Sequence, residues 1–182
     1  MLHSPIPPHD PEPPADSGRF LVVSFHDLAP HTERPCRELL VLLERLGVPR
    51  ITLRVVSPWH RAEALADLPF FLRFLRSLSD AGHEIRPEEE AETPAPTVVF
   101  GGRSVWRRAA SRVWARLCFA RSRQAPVLRI CVHPGDVYNP AIRRTLLGLV
   151  ERSLADRTPV TCGELADLLR ERHGSDNGLS QS

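Results

Sequence analysis

Two stretches of this 182-residue chain end an apolar run in closely spaced His and Asp. In the first, Phe20-Leu21-Val22-Val23-Ser24-Phe25 leads into His26-Asp27-Leu28-Ala29-Pro30. In the second, Val127–Val132 leads into His133-Pro134-Gly135-Asp136. Imidazole and carboxylate groups move protons near neutral pH and ligate divalent metals. If both runs are strands of a parallel α/β fold, their C-terminal ends lie on the edge where βα loops converge and ligands bind. His26, Asp27, His133 and Asp136 are therefore the candidate functional residues. Along a regular strand His26 and Asp27 point to opposite faces, whereas a loop would let both turn inward. The competing structural role is to cap the strand end and hydrogen-bond nearby backbone. Pro134-Gly135 is a turn signature, so Asp136 has two candidate partners, the turn N–H groups and His133. His31, His60 and Trp59 read as turn or surface residues, and Glu88, Glu89, Glu90 and Glu92 as a solvated acidic run.

The elements that must position these groups alternate. Arg19–Phe25 is a predicted strand. Glu33–Leu46 is a predicted helix, with Cys36, Leu39, Leu40, Leu43 and Leu46 on one face and Gly47 as its stop. Ile51–Val56 is a second strand of near-continuous apolarity, and Asp67–Ala81 a second helix with Phe70, Phe71, Phe74, Leu75 and Leu78 inward. His83-Glu84-Ile85 starts a third strand that does not continue, because a Pro/Glu linker over 86–97 follows. Thr97–Phe100 reads as a short strand. Ser104–Ala120 is a helix with Val105, Trp106, Ala109, Ala110, Val113, Trp114 and Leu117 clustered and arginines on its polar side. After the strand Val127–Val132 come a helix over Pro140–Leu154, a brief Pro159-Val160 segment, and a final helix Gly163–Arg172 opened by the capping box Thr161-x-x-Glu164.

Such alternation predicts a parallel sheet with helices over it, in one domain spanning 19–173. The Pro-rich residues 1–18 and the residues 174–182 read as disordered tails. A complete (β/α) barrel usually takes about 200 residues or more, so this domain falls short by roughly two βα units.

Composition narrows the function classes. With 42% hydrophobic and 25% charged residues the chain has enough apolar content for one core. A net charge of +2 gives no strong nucleic-acid signal. Every basic residue is Arg, which reads as a compositional bias; phosphate recognition by guanidinium is the sharper alternative. The four cysteines have no C-x-x-C spacing and read as free thiols, mostly buried. No signal peptide and no apolar run of about 18 residues is legible, which predicts a cytoplasmic chain without a membrane span. The rival to an enzyme is an interaction protein using the Arg/Trp-rich helix 103–120 against an acidic partner, nucleic acid or anionic lipid.

Phe20–Pro30, Leu42–Val56, Ala81-Gly82-His83-Glu84-Ile85, and Leu128–Asp136 followed by Arg157-Thr158-Pro159-Val160-Thr161 resemble, in order and spacing, a divergent branch of the polysaccharide deacetylase superfamily (carbohydrate esterase family 4). The resemblance covers most of 19–170 in two halves. It implies a distorted (β/α) barrel, a carbohydrate substrate, and metal-dependent removal of N-acyl groups, with zinc as the usual ion. In that family an Asp after the first strand binds the metal together with two His of a His-x-x-x-His motif that follows Gly-His-Glu within a few residues. By position, Asp27 is the metal ligand and His26 stands where many relatives place a catalytic-base Asp. His133 is the late His that assists as general acid or contacts the leaving acyl group. The departure is that Arg86-Pro87-Glu88 follows Ile85 and no His-x-x-x-His occurs downstream. The expectation is a barrel incomplete in its middle, with activity impaired or lost, and with apolar faces that self-association would cover.

Overall fold

A computed structural model describes residues 18–56, 67–90, 95–100 and 105–179, the last segment with side chains over 111–172. Trp59, His60, Glu92, Trp106 and most of the expected N-terminal tail lie outside the described side chains. Strand β1 (Phe20–Leu28) is followed by a 3-10 turn (Pro30–Thr32) and helix α1 (Glu33–Glu44). Then come β2 (Thr52–Val55), α2 (Pro69–Asp80), β3 (Glu84–Pro87), β4 (Thr97–Val99) and α3 (Val105–Arg121). The chain continues through β5 (Val127–Val132), the short α4 (Pro134–Tyr138), α5 (Pro140–Leu154), β6 (Thr158–Val160) and α6 (Cys162–Leu179).

All six strands are parallel and form one sheet in the order β3-β2-β1-β5-β4. β5 runs along one edge of β1 from Phe20 to Phe25. The other edge is shared: β6 takes Phe20–Val22 and β2 takes Ser24–Leu28. From β1 to β2 to β3 the chain steps across the sheet in one direction, and from β4 to β5 to β6 it steps the same way. Right-handed crossovers that all step one way put every connecting helix on one face. The packing agrees: α1, α2, α3 and α5 share a single core with one face of the sheet. Leu39 and Leu43, Phe71 and Phe74, Ala115, and Leu146 and Leu149 meet Leu21, Val23, Phe25, Leu53, Leu128 and Ile130 there. The last helix, α6, covers the start of the opposite face, where Leu165 packs with Phe20, Val22, Val127 and Val160.

Several sequence expectations need correction. The third strand is present: β3 runs through Arg86 and Pro87 in register with Arg54 and Val55, so the expected 86–97 linker begins inside the sheet. Pro87 is tolerated because it closes β3, which lies at the edge of the strand order. Phe70 is 77% exposed against Arg73, because the stripe of α2 passes through Phe71, Phe74, Leu75 and Leu78. On α3, Val113, Trp114 and Leu117 face outward, while Ala115, Cys118 and Phe119 pack on the core. The apolar residues of α3 surround the helix, so periodicity alone does not choose its inner side. The final helix continues past Gly174 to Leu179, where a tail was expected. Its capping box is as read: Glu164 accepts the Thr161 N–H at 2.8 Å and Thr161 Oγ1 accepts the Glu164 N–H at 3.3 Å. The four cysteines are free, three of them buried. Among the described residues no helix is long and apolar enough to cross a membrane.

One close approach ties α6 to the sheet. The Cys162 and Gly163 N–H groups donate to Thr52 Oγ1 (2.9 Å) and Glu84 Oε2 (3.1 Å). A Cβ on residue 163 would lie 2.6 Å from Glu84 Oε1, so any side chain there would have to displace the Glu84 carboxylate. A carboxylate at a helix N-terminus is also favoured by the peptide dipoles.

Candidate functional site

The side chains of β1 alternate between the two faces until residue 26, and there the alternation is broken. Phe25 pairs with Leu53 and Leu28 with Val55, so β1 spends three steps where β2 spends two. This is a β-bulge, and Asp27, at φ 55, takes the left-handed conformation that makes room for it. The bulge keeps His26 on the face of Ser24 and returns Leu28 to the helix-covered core. Asp27 is left exposed, its backbone carbonyl accepting from Thr32 Oγ1 at 2.8 Å.

His26 sits at the centre of a polar chain. Its Nδ1 is 2.7 Å from Glu88 Oε1 and its Nε2 2.9 Å from Ser24 Oγ. The Ser24 hydroxyl in turn donates to Cys131 Sγ at 3.5 Å, Cys131 being its register partner on β5. Burial by itself would lower the His26 pKa. The contacts with Cys131 and Glu88 outweigh it, and the pKa is pushed up to about 10. For Glu88 burial pulls upward, but the bond and charge of His26 prevail and its pKa falls below the usual carboxylate value. His26 is thus an imidazolium at neutral pH, donating Nδ1–H to Glu88 and Nε2–H to Ser24. In that state it can release a proton or stabilise a developing oxyanion, but it cannot accept a proton or ligate a metal.

Glu88 is itself held. Its N–H donates to Val55 O at 2.9 Å, its carbonyl accepts from buried Arg54 Nη2 at 2.9 Å, and its Oε2 accepts the Asp27 N–H at 3.3 Å. Arg54 also donates to the Glu90 carbonyl, closing the turn after β3. The expectation that Glu88 belongs to a solvated acidic run is corrected by its pairing with His26, and Ser24, Cys131 and Arg54 carry no functional role in the sequence reading. The period-two spacing of Ser24 and His26 was a usable signal for one of them. Glu88 was hidden in an acidic run beside prolines, and only the pairing of β3 with β2 brings it to His26.

The second strand tip supplies His133, whose ring centroid lies 5.4 Å from that of His26 with the planes tilted by 32°. The structure therefore brings together the two histidines read from the sequence. Asp136 is buried and its Oδ2 accepts the His133 N–H at 3.0 Å, which caps α4. Its other candidate contact, to His133 Nδ1, is 3.7 Å, too long for a hydrogen bond. That Nδ1 is shielded from solvent and has no hydrogen-bond partner among the described residues.

A catalytic zinc takes three protein ligands and an open position. Among the described residues no group of three or more His, Cys, Asp or Glu is placed to hold a metal ion. Asp27 points to solvent, away from a His26 whose two nitrogens are engaged, so the residues present do not fit the ion that the family resemblance implies. Comparison of the chain with family models, with curated proteins and with solved structures finds no match.

Proposed function

We propose that this chain is a polysaccharide deacetylase-type protein, an incomplete distorted barrel in which metal-dependent hydrolysis of N-acyl groups on carbohydrate is impaired or lost. The sheet supports the barrel reading through its handedness: crossovers that all step one way, with their helices on one face, are the winding of a barrel wall. The face left over, carrying Ser24, His26, Thr52, Arg54, Arg129 and Cys131, is then the barrel's inner lining.

The observation that carries the loss of activity is the His26–Glu88 pair at 2.7 Å. The resemblance expects metal-binding imidazoles shortly after Gly82-His83-Glu84. Glu88 occupies that stretch instead, and its carboxylate is turned onto His26. A cation-holding corner is thereby replaced by an internal ion pair. The test is acetate release from N-acetylated oligosaccharides by the zinc-loaded chain. No release above the zinc-only background is expected, and turnover abolished by Asp27→Ala would overturn the reading.

One observation favours a second reading as an interaction protein. Val113, Trp114 and Leu117 expose an apolar stripe on α3 among Arg112, Arg116 and Arg121. Such a stripe suits an anionic surface. Salt-sensitive co-sedimentation with anionic vesicles, weakened by Trp114→Ser, is the expected result under that reading; its absence at low salt removes it.

A further inference from the structure

At the opposite end of the sheet from His26, a cavity of about 630 Å³ opens between the C-terminal part of α3, the end of α5 and the turns that follow them. Its position is fixed by Arg157, which donates to the Phe20 carbonyl at the first residue of β1. Six strand steps separate Phe20 from His26, roughly 20 Å at strand rise, so the cavity is independent of the candidate site. Its volume lies within the range of about 300–1,000 Å³ usual for small-molecule sites.

The lining has two chemistries. Phe119 and Leu149 contribute apolar surface, and Arg116, Arg123, Arg152 and Arg157 contribute guanidinium groups. The one acidic residue of the lining, Asp156, is held by Arg19 at 2.5 Å. Arg157 is spent on structure, donating also to the Ser122 and Arg123 carbonyls. Arg116, Arg123 and Arg152 form no ion pair among the described residues. They come from three places, α3, the turn after it, and α5, and converge on one space. On α1, by contrast, Arg34 and Arg37 are matched by Glu38 and Glu33 one helical turn away.

We propose that this cavity binds an organic phosphate: a phosphomonoester headgroup held by Arg116, Arg123 and Arg152, with an apolar or aromatic body against Phe119 and Leu149. A guanidinium fork matches two phosphate oxygens at once, and a phosphomonoester dianion answers several such groups where a single carboxylate does not. The apolar part of the lining adds burial that inorganic phosphate cannot use.

The probe is 1-naphthyl phosphate, titrated calorimetrically into the full chain at low salt, with inorganic phosphate and 1-naphthol as the separate halves. The expected result is one saturable site for the intact ester, with each half binding at least about tenfold more weakly. Arg116→Gln with Arg152→Gln weakens the ester at least about tenfold, whereas Arg73→Gln on α2 leaves it unchanged. Circular dichroism checks the fold of each variant, and Arg123→Gln alone serves if the double variant fails to fold. No saturable binding, equal binding of 1-naphthol, or affinity unmoved by the cavity variants would overturn the proposal.

Discussion

The two faces of the sheet are built from alternate residues of the same strands and are chemically unlike. Leu21, Val23 and Phe25 of β1, with Leu53, Leu128, Ile130 and Val132, make one face entirely apolar beneath four helices. The other face is apolar only at its start, under α6, and beyond that carries Ser24, His26, Thr52, Arg54, Arg129 and Cys131, polar or ionisable yet mostly buried. The first face stabilises by removing hydrocarbon from water, a term that needs shape but no partners. The second stabilises only where each donor meets an acceptor, because buried polar groups left unpaired cost free energy. Stability should therefore depend on volume on one side and on pairing on the other.

Phe25→Ala tests the first half and carries the largest expected effect. Phe25 has no exposed surface, so truncation should cost about 3–5 kcal/mol in urea unfolding. A loss below about 1 kcal/mol would mean that this core collapses around the gap. On the polar face Glu88→Gln keeps the shape and removes the charge facing His26. It should cost about 1–3 kcal/mol, since both side chains are mostly buried but neither fully. Equal sensitivity to Leu53→Asn and Glu88→Gln would erase the distinction between the faces.

The pair also has a pH signature. His26 is raised from 6.5 to about 10, so its stabilisation is complete below pH 6.5, fades as pH rises, and is gone above about 10. Glu88 is lowered from 4.5, so its contribution is present above 4.5 and disappears as pH falls through its depressed value. Cys131 still raises His26 in Glu88→Gln, so the advantage of the native chain should hold from pH 4.5 upward while His26 is protonated in both proteins, and shrink below 4.5 and again as pH approaches about 10. Urea midpoints across pH 3–11 check this; an advantage independent of pH would contradict the ion pair.

The smallest effect is expected at the bulge. Asp27 holds a left-handed backbone that glycine adopts freely, and its side chain is exposed. Asp27→Gly should change stability by no more than about 1 kcal/mol, in the stabilising direction if relief of strain exceeds the added chain entropy. A large loss would show that the carboxylate makes a contact essential to the fold.

The legible part of this molecule is what periodicity encodes. The first helix stops at Gly47 as read, that glycine taking a positive φ as Gly82 does after α2, and the capping box at Thr161 and Glu164 forms as spaced. The strand ends at His26 and His133 were readable too, and the sheet brings them side by side. What failed depended on tertiary pairing. β3 has only four residues, one of them proline, and gains its definition from β2 rather than from its own propensity. The role of Glu88 follows from that strand and was invisible without it. The orientation of α3 was equally undetermined, because its valines, tryptophans and Leu117 offer more than one apolar side and only the sheet selects Ala115, Cys118 and Phe119.

The account stands on His26 being occupied by Glu88 and Ser24, and on no group of three metal-ligating side chains among the described residues being placed to hold a cation. Equilibrium dialysis of the purified chain and of Asp27→Ala against zinc at pH 7, with the bound metal quantified, addresses this directly. Zinc retention that is substoichiometric and the same in both proteins is the predicted result. One tightly held zinc per chain that disappears with Asp27→Ala would contradict it.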